Sequence, residues 1–345
     1  MTTRTDPSLN IRNADLDAAV KAGIFDEATA ARLAAFVSEG HVALDSDNEN
    51  LRLITGFNDI FVVIGLALFL GALHFVASGF ALYATPFVVW GLAEIFTRRM
   101  RMALPSIVLL LAFVGSVFWL VASVFNATSL DQIGSRAEAG TLGIAAAVAA
   151  LAAGLHWWRF HVPITFAAGM AALAGLLLFG LEAVSPGLIT GSNGLVILPL
   201  GIGVFVLAMY FDAQDRARRT QLSDRAFWLH LLAAPMIVHP LVGNLAHGGD
   251  PGVTRAGWVI GIFVLIGLVA LIADRRALLV SSLLYLGYAL TTLIGGNTFG
   301  LERVSLAVLI VGGVVLLLSV AWKPLRRALV SVLPPRITNL VPLPA

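Results

Sequence analysis

Long apolar runs fill the chain after residue 57. They extend over about 17–22 residues each, and short polar or glycine-containing stretches separate them. Because an α-helix rises 1.5 Å per residue, about 20 apolar residues cross the hydrocarbon core of a bilayer. The pattern predicts an all-α fold, a polytopic transmembrane bundle of about ten helices. The predicted spans are 58–77, 80–97, 104–125, 141–157, 161–182, 194–211, 227–247, 255–273, 276–296 and 302–321.

Residues 1–50 lack such a run, and their pattern predicts a short cytoplasmic helical hairpin with a polar linker. Gly23 is placed to end a first helix, and Asp26 to cap a second one. This segment is too short to bury a core of its own. We predict three parts: the hairpin and linker at 1–50, the transmembrane bundle at 51–323, and a cytoplasmic tail at 324–345.

Basic residues are concentrated on alternate connections between the spans, and basic connections stay in the cytoplasm. One set of alternate connections, together with the C-terminal tail, contains fourteen basic residues: Arg98, Arg99, Arg101, Arg159, Arg216, Arg218, Arg219, Arg225, Arg275, Arg276, Lys323, Arg326, Arg327 and Arg336. The opposite set holds three, Arg136, Arg255 and Arg303. The distribution predicts that both termini are cytoplasmic. Arginine far outnumbers lysine, and this bias is associated with bacterial genomes rich in G and C. We therefore expect the protein to lie in a bacterial inner membrane.

Composition excludes a soluble protein, since 59% of the residues are hydrophobic and 12% are charged, against about 25% charged in soluble domains. The chain has no cysteine, which removes thiolate metal sites and cysteine nucleophiles. It has no phosphate-binding P-loop, no Gly-x-Ser-x-Gly and no His-Glu-x-x-His. We therefore expect no enzyme activity, no metal, no cofactor and no nucleic-acid partner, and a lipid bilayer as the surroundings.

Polar side chains within the spans are the candidates for function, because such groups are costly in lipid. The seventh span combines three histidines, an asparagine and two prolines that we expect to break the helix. Together with a glutamate at the end of the fifth span, the candidate intramembrane polar site contains His230, His239, Asn244, His247 and Glu182, with Pro235 and Pro240 as the helix-breaking residues. The alternative is a kinked helix whose histidines bond neighbouring carbonyl groups. Glu94 precedes Arg98 by four residues, the spacing of a helical ion pair.

Two segments resemble a class of bacterial membrane proteins. They are residues 18–30, AAVKAGIFDEATA, and residues 51–73, LRLITGFNDIFVVIGLALFLGAL. The chain is similar here to the class named domain of unknown function 2157, which has an N-terminal helical hairpin before a many-helix membrane domain. The resemblance implies this layout and no particular activity.

Two functions agree with these patterns. The first is a secondary transporter or permease for a small solute, with the seventh span along its path. The second is a non-transporting assembly or sensing protein whose N-terminal hairpin binds a protein partner. A membrane-embedded enzyme that uses His230, His239 or Glu182 is a third and more distant candidate. A water-filled cavity that reaches mid-membrane would distinguish the transporter from a densely packed assembly protein.

Overall fold

The computed structural model describes residues 19–24, 26–32, 57–76, 78–125, 135–192, 194–216, 218, 220–247, 253–279, 282–283, 286–287, 290, 301–334 and 341. The chain divides into two compact units, residues 1–50 with residue 345, and residues 51–344.

The first unit contains the two predicted helix ends. The helical turn at residues 19–21 ends at Gly23, whose φ of +70° suits glycine. The Asp26 carboxylate accepts a hydrogen bond from the Thr29 amide at 3.2 Å, as an N-cap does. Bonding to Thr29 also lowers the pKa of the Asp26 carboxyl group. Both predicted ends are confirmed, and the rest of the predicted hairpin lies outside the described residues.

The described residues of the second unit form helices joined by turns. In chain order, its helices are α1 (Phe57–Val76), α2 (Ser78–Ala93), α3 (Ala103–Val124), α4 (Arg136–Phe160), α5 (Thr165–Val184), the single turn α6 (Leu188–Gly191), α7 (Ile197–Gln214), α8 (Gln221–His247), α9 (Val253–Ala273) and α10 (Leu301–Val332). A π-helical turn, Glu94–Arg99, continues α2.

Seven helices in the described parts of the chain are long and apolar enough to cross a membrane. Two shorter apolar helices, Phe57–Leu73 and Gly257–Ala273, coincide with the first and eighth predicted spans. The ninth predicted span, 276–296, lies largely outside the described residues. The chain is thus an all-α integral membrane protein, while the count of ten helices is not confirmed.

The fourth and fifth spans are separate helices, joined by a short turn between Phe160 and Thr165. His161 adopts a φ of +56° at the end of α4, and this left-handed residue reverses the chain. The start of α4 is earlier than predicted because Ser135 is an N-cap that pairs with Glu138, and the Ser135 hydroxyl also donates to the Glu138 carboxylate at 3.1 Å. The Ser135 hydroxyl oxygen accepts a hydrogen bond from the Glu138 amide at 3.2 Å.

The last helix differs from its prediction. We expected the bundle to end at residue 323 and a separate tail to follow, but α10 continues through Pro324 to Val332. A proline removes one backbone donor and crowds the preceding turn, and the helix formers that follow Pro324, leucine, arginine and alanine, carry the helix onward. Trp322, two residues before Pro324, and Arg326, two residues after it, are both buried. Packing therefore holds α10 in place on each side of the proline.

Consecutive helices pack as antiparallel neighbours, with the tightest pairs formed by α4 with α5 and by α7 with α8. One end of the bundle collects the turns that follow α2, α4, α7 and α9. We call it the arginine-rich end, because Arg98, Arg159, Arg225 and Arg275 lie there.

Gly201 allows α7 and α8 to approach closely. A Cβ atom built on Gly201 would lie 2.8 Å from the Met236 Cβ and 2.9 Å from the Met236 carbonyl carbon. We expect Gly201→Ala to destabilise the protein by about 1–3 kcal/mol, since the two backbones would have to separate. Gly203→Ala is the control, because a Cβ there meets nothing within 4 Å. Thermal unfolding in detergent measures both, and equal stability of the two variants would contradict this packing.

Candidate functional site

A charged residue of α7 is buried at the arginine-rich end. Gly201, Val204, Ala208 and Asp212 are the buried residues of α7, and their spacing of three and four places them on one face of the helix. The apolar sequence of α7 thus brings one carboxylate into the packed interior. Asp212 has no solvent exposure.

Asp212 is bonded by residues from two other elements. His230, in the third turn of α8, has its Nε2 atom 2.9 Å from Asp212 Oδ2. Arg275, just after α9, donates from Nε to Oδ2 at 3.2 Å and from Nη2 to Oδ1. The same Nη2 donates to the carbonyl and hydroxyl oxygens of Ser223, at 3.1 and 3.0 Å. We call these four residues the Asp212 network.

The network compensates the cost of burying its charges. His230 has no exposure and Arg275 has 1%, and isolated charges at such positions would be strongly unfavourable. A carboxylate bridged by two guanidinium nitrogens and an imidazole satisfies the usual condition for a buried ion pair, good geometry with additional hydrogen bonds. Because α7, α8 and the residue Arg275 after α9 each contribute to it, the network ties α7, α8 and the end of α9 together.

His230 keeps one ring nitrogen available for a proton. Asp212, as an ionised carboxylate, only accepts, so Nε2 of His230 carries the shared proton. Nδ1 is buried, and it has no hydrogen-bond partner in the described part of the chain. The Phe205 ring stands edge-on to the imidazole at 5.3 Å. Two further charged groups interact electrostatically with the network. Arg218 acts on His230, and Asp224 interacts with Arg275.

A second group of charges lies beside the network and involves α10. Asp274 pairs with Arg218 at 3.1 Å and with Arg326 at 3.5 Å, and it accepts a hydrogen bond from Trp322 Nε1 at 2.8 Å. Arg218 also donates to the Asp274 carbonyl oxygen at 2.8 Å. This Asp274 cluster connects the α7–α8 turn to α10 through the residue that precedes Arg275.

The structure does not gather the predicted polar residues into one site. His230 is buried in the Asp212 network, but His239 is exposed on the surface of α8, so the structure does not place it with His230 in one buried site. The two histidines are nine residues apart, which corresponds to two and a half helical turns, so they lie on opposite faces. The side chains of Asn244 and His247 lie outside the described residues.

The two prolines of the seventh span do not break it. Helix α8 is continuous from Gln221 to His247, with Pro235 and Pro240 inside. Each proline removes one backbone donor, a change that membrane helices accommodate where neighbours or local adjustments satisfy the freed carbonyl group. Pro240 is buried and Pro235 is exposed, so only one of them faces neighbouring helices.

Glu182 has a local structural role at the opposite end of the bundle from Asp212. It is buried, and its two carboxylate oxygens accept the backbone amides of Gly187 and Ile189 at 2.5 and 2.7 Å. These amides begin the single turn α6, where a carboxylate is favourable. Glu182 therefore caps a turn and is separate from the Asp212 network.

The predicted ion pair between Glu94 and Arg98 is confirmed, with Nη1 of Arg98 3.3 Å from the carboxylate. Arg159, which the sequence did not connect to it, binds the same carboxylate through two nitrogens, both at 2.8 Å.

His156, one turn before Arg159 on α4, is fully buried beside Trp90 and Phe160, and neither of its ring nitrogens has a hydrogen-bond partner in the structure as described.

Sequence reasoning missed Asp212 and used Arg275 only as evidence for orientation. The available signal was an acidic residue at the end of an otherwise apolar span, on the same helical face as three small or apolar residues. Within the described residues, no group of three histidine, aspartate or glutamate side chains is arranged to hold a metal ion.

Comparisons of the chain with protein-family models, with curated proteins and with solved structures found no match. The resemblance to domain of unknown function 2157 stays a prediction, and the site must be interpreted from its own chemistry.

Proposed function

We propose that this protein is a secondary transporter for a small solute and that the Asp212 network is its proton-responsive gate. The observation that carries the proposal is a buried Asp212–His230–Arg275 group that joins α7, α8 and the end of α9. Ionisable groups inside membrane segments are rare and costly, and they commonly mark ion or substrate pathways and proton relays.

The proposed gate uses the vacant nitrogen of His230. Protonation at Nδ1 converts the imidazole to a cation that shares the single Asp212 carboxylate with the Arg275 guanidinium. The added positive charge weakens the hold of Asp212 on Arg275, because like charges now compete for one anion. Release of Arg275 frees the end of α9 from α7 and α8 and opens the bundle at its arginine-rich end.

We further propose that this end faces the cytoplasm of a bacterium whose inner membrane holds the protein. The unequal distribution of arginine between alternate connections supports this orientation. The Asp274 cluster would then act from the cytoplasmic side as a second tie between the α7–α8 turn and α10.

The alternative is a non-transporting membrane protein that assembles with or senses a partner. Dense packing between α8 and α9 favours it, since Val238 and Val242 of α8 are buried against Val259 of α9. The N-terminal unit, residues 1–50, would carry the partner-binding surface in that case.

Accessibility of a buried position separates these two functions without knowledge of the solute. The chain has no cysteine, so Val238→Cys, at a position 1% exposed, introduces a unique thiol between α8 and α9. A transporter that opens to water should allow a charged, water-soluble thiol reagent to label this cysteine in membrane vesicles. Labelling only after denaturation in detergent would support the assembly protein and contradict the transporter.

Two further single-cysteine variants calibrate the measurement. Leu309→Cys, at a position 71% exposed on α10, should stay unlabelled because lipid covers it. Ser185→Cys, at the exposed turn after α5, should react only from the outside of the cell. Reaction of Ser185→Cys from the cytoplasmic side would overturn the orientation.

A further inference from the structure

A groove opens between α4 and α5 on the outer surface of the bundle. Its volume is about 550 Å³. The small residues Ala147, Ala150, Gly154 and Gly169 line it, and a Cβ atom built on Gly154 meets nothing within 4 Å. From Ala147 to Trp157 the groove follows ten residues of α4, a length of about 15 Å.

Polar groups without partners lie at one end of this groove. Thr165, at the start of α5, lines the groove and is 3% exposed, and its hydroxyl oxygen has no hydrogen-bond partner in the described structure. This is the arginine-rich end, beside the turn between α4 and α5. A buried hydroxyl without a partner is unusual, and it can donate to a ligand at this end of the groove.

A cation stands over the same end. The Arg225 guanidinium carbon lies 4.6 Å from the Trp157 ring centre and 4.7 Å from that of Phe166, and both rings line the groove. The Arg225 Nε atom is buried without a hydrogen-bond partner, and no carboxylate pairs with Arg225 within the described residues. The aromatic rings hold the arginine in place by cation–π contact, while no carboxylate among the described residues neutralises its charge.

We propose that this groove binds one anionic phospholipid, with an acyl chain along α4 and the phosphate group between Arg225 and Thr165. The groove supplies an apolar channel with small-residue walls, and its polar end supplies a cation and a hydroxyl donor. Phosphate oxygens pair well with a guanidinium group.

The apolar length favours a lipid over a soluble phosphate. A free phosphate ion would use only Arg225 and Thr165 and would leave about 15 Å of apolar groove without an occupant. A phospholipid fills both parts, and each buried methylene group of its chain adds to affinity. The position also agrees with the charge of bacterial membranes if the arginine-rich end is cytoplasmic, since basic groups there attract anionic lipids. The inference does not depend on whether the protein transports a solute.

Native mass spectrometry of the purified full-length chain in detergent tests the inference. Phosphatidylglycerol and phosphatidylcholine are titrated separately, and the dissociation constant of the first bound lipid is measured. We expect the wild type to prefer phosphatidylglycerol by about fivefold, the effect of one arginine near an anionic group. Arg225→Gln should remove this preference.

Groove-filling variants test the acyl-chain position. Gly154→Leu should weaken the binding of both lipids, whereas Gly203→Leu, at an exposed and open position of α7, should leave binding unchanged. Ala150→Leu repeats the test if Gly154→Leu does not elute as a folded protein.

Three results would overturn the assignment. Equal lipid affinity in the groove-filling variants and in Gly203→Leu would show that no acyl chain lies in the groove. An unchanged preference in Arg225→Gln would show that Arg225 does not bind the headgroup. Thermal protection of the wild type by inorganic phosphate as large as that by phosphatidylglycerol would identify a soluble anion as the ligand.

Discussion

Replacement of Arg275 with alanine should lower the free energy of unfolding by about 3–5 kcal/mol, the usual cost of removing one partner of a buried ion pair. The variant leaves the Asp212 carboxylate buried, with His230 as its remaining partner. It also leaves the oxygens of Ser223 without their guanidinium donor. Reversible unfolding in mixed detergent micelles, followed by tryptophan fluorescence, measures the change.

The neighbouring arginine is the matched control. Arg276 is only partly buried, and its guanidinium carbon lies 5.4 Å from the centre of the Trp322 ring. Arg276→Ala should therefore lose about 0.5–1 kcal/mol.

A double variant isolates the pair itself. Arg275→Ala with Asp212→Ala should be less destabilised than the sum of the two single variants, because no lone charge stays buried. Additive single effects would show that Asp212 and Arg275 do not interact as the structure describes.

Local sequence signals predicted much of the helical structure. Apolar length predicted the membrane-crossing segments, and capping chemistry at Asp26 and Gly23 predicted helix ends that the structure contains. The N-cap at Ser135 was also readable, since serine followed three residues later by glutamate is a signature of a helix start. The continuation of α10 beyond Pro324 was less predictable. The helix formers after the proline permit it, but contacts of Trp322 and Arg326 with Asp274, some fifty residues earlier in the chain, hold this part of the helix in place.

The candidate site was less predictable, because its pairs are distant in sequence. Asp212 and Arg275 are 63 residues apart, and only the packing of α7, α8 and the end of α9 brings them together. The relative orientation of the two histidines, by contrast, could be calculated from the sequence. His239 follows His230 by nine residues, so the two side chains point to opposite faces of the helix and cannot share one site. The sequence analysis grouped them because both are polar residues of the seventh span, without regard to the helical face of each.

The central claim is that a proton on His230 opens the gate, and the Val238→Cys thiol reports it. Its labelling rate is measured against pH in open membrane fragments, where the reagent reaches both faces of the membrane, and is divided by that of Ser185→Cys, which corrects for the chemistry of the reagent. As the pH falls, His230 gains a positive charge beside Arg275, the network weakens, and the corrected rate should rise.

The same measurement with His230→Gln tests the claim most directly. Glutamine can still donate a hydrogen bond to Asp212 but cannot take up a proton. We predict that the corrected labelling rate of Val238→Cys increases at low pH with His230 present and becomes independent of pH in His230→Gln. The same pH dependence with and without His230, or no pH dependence in either, would contradict the account.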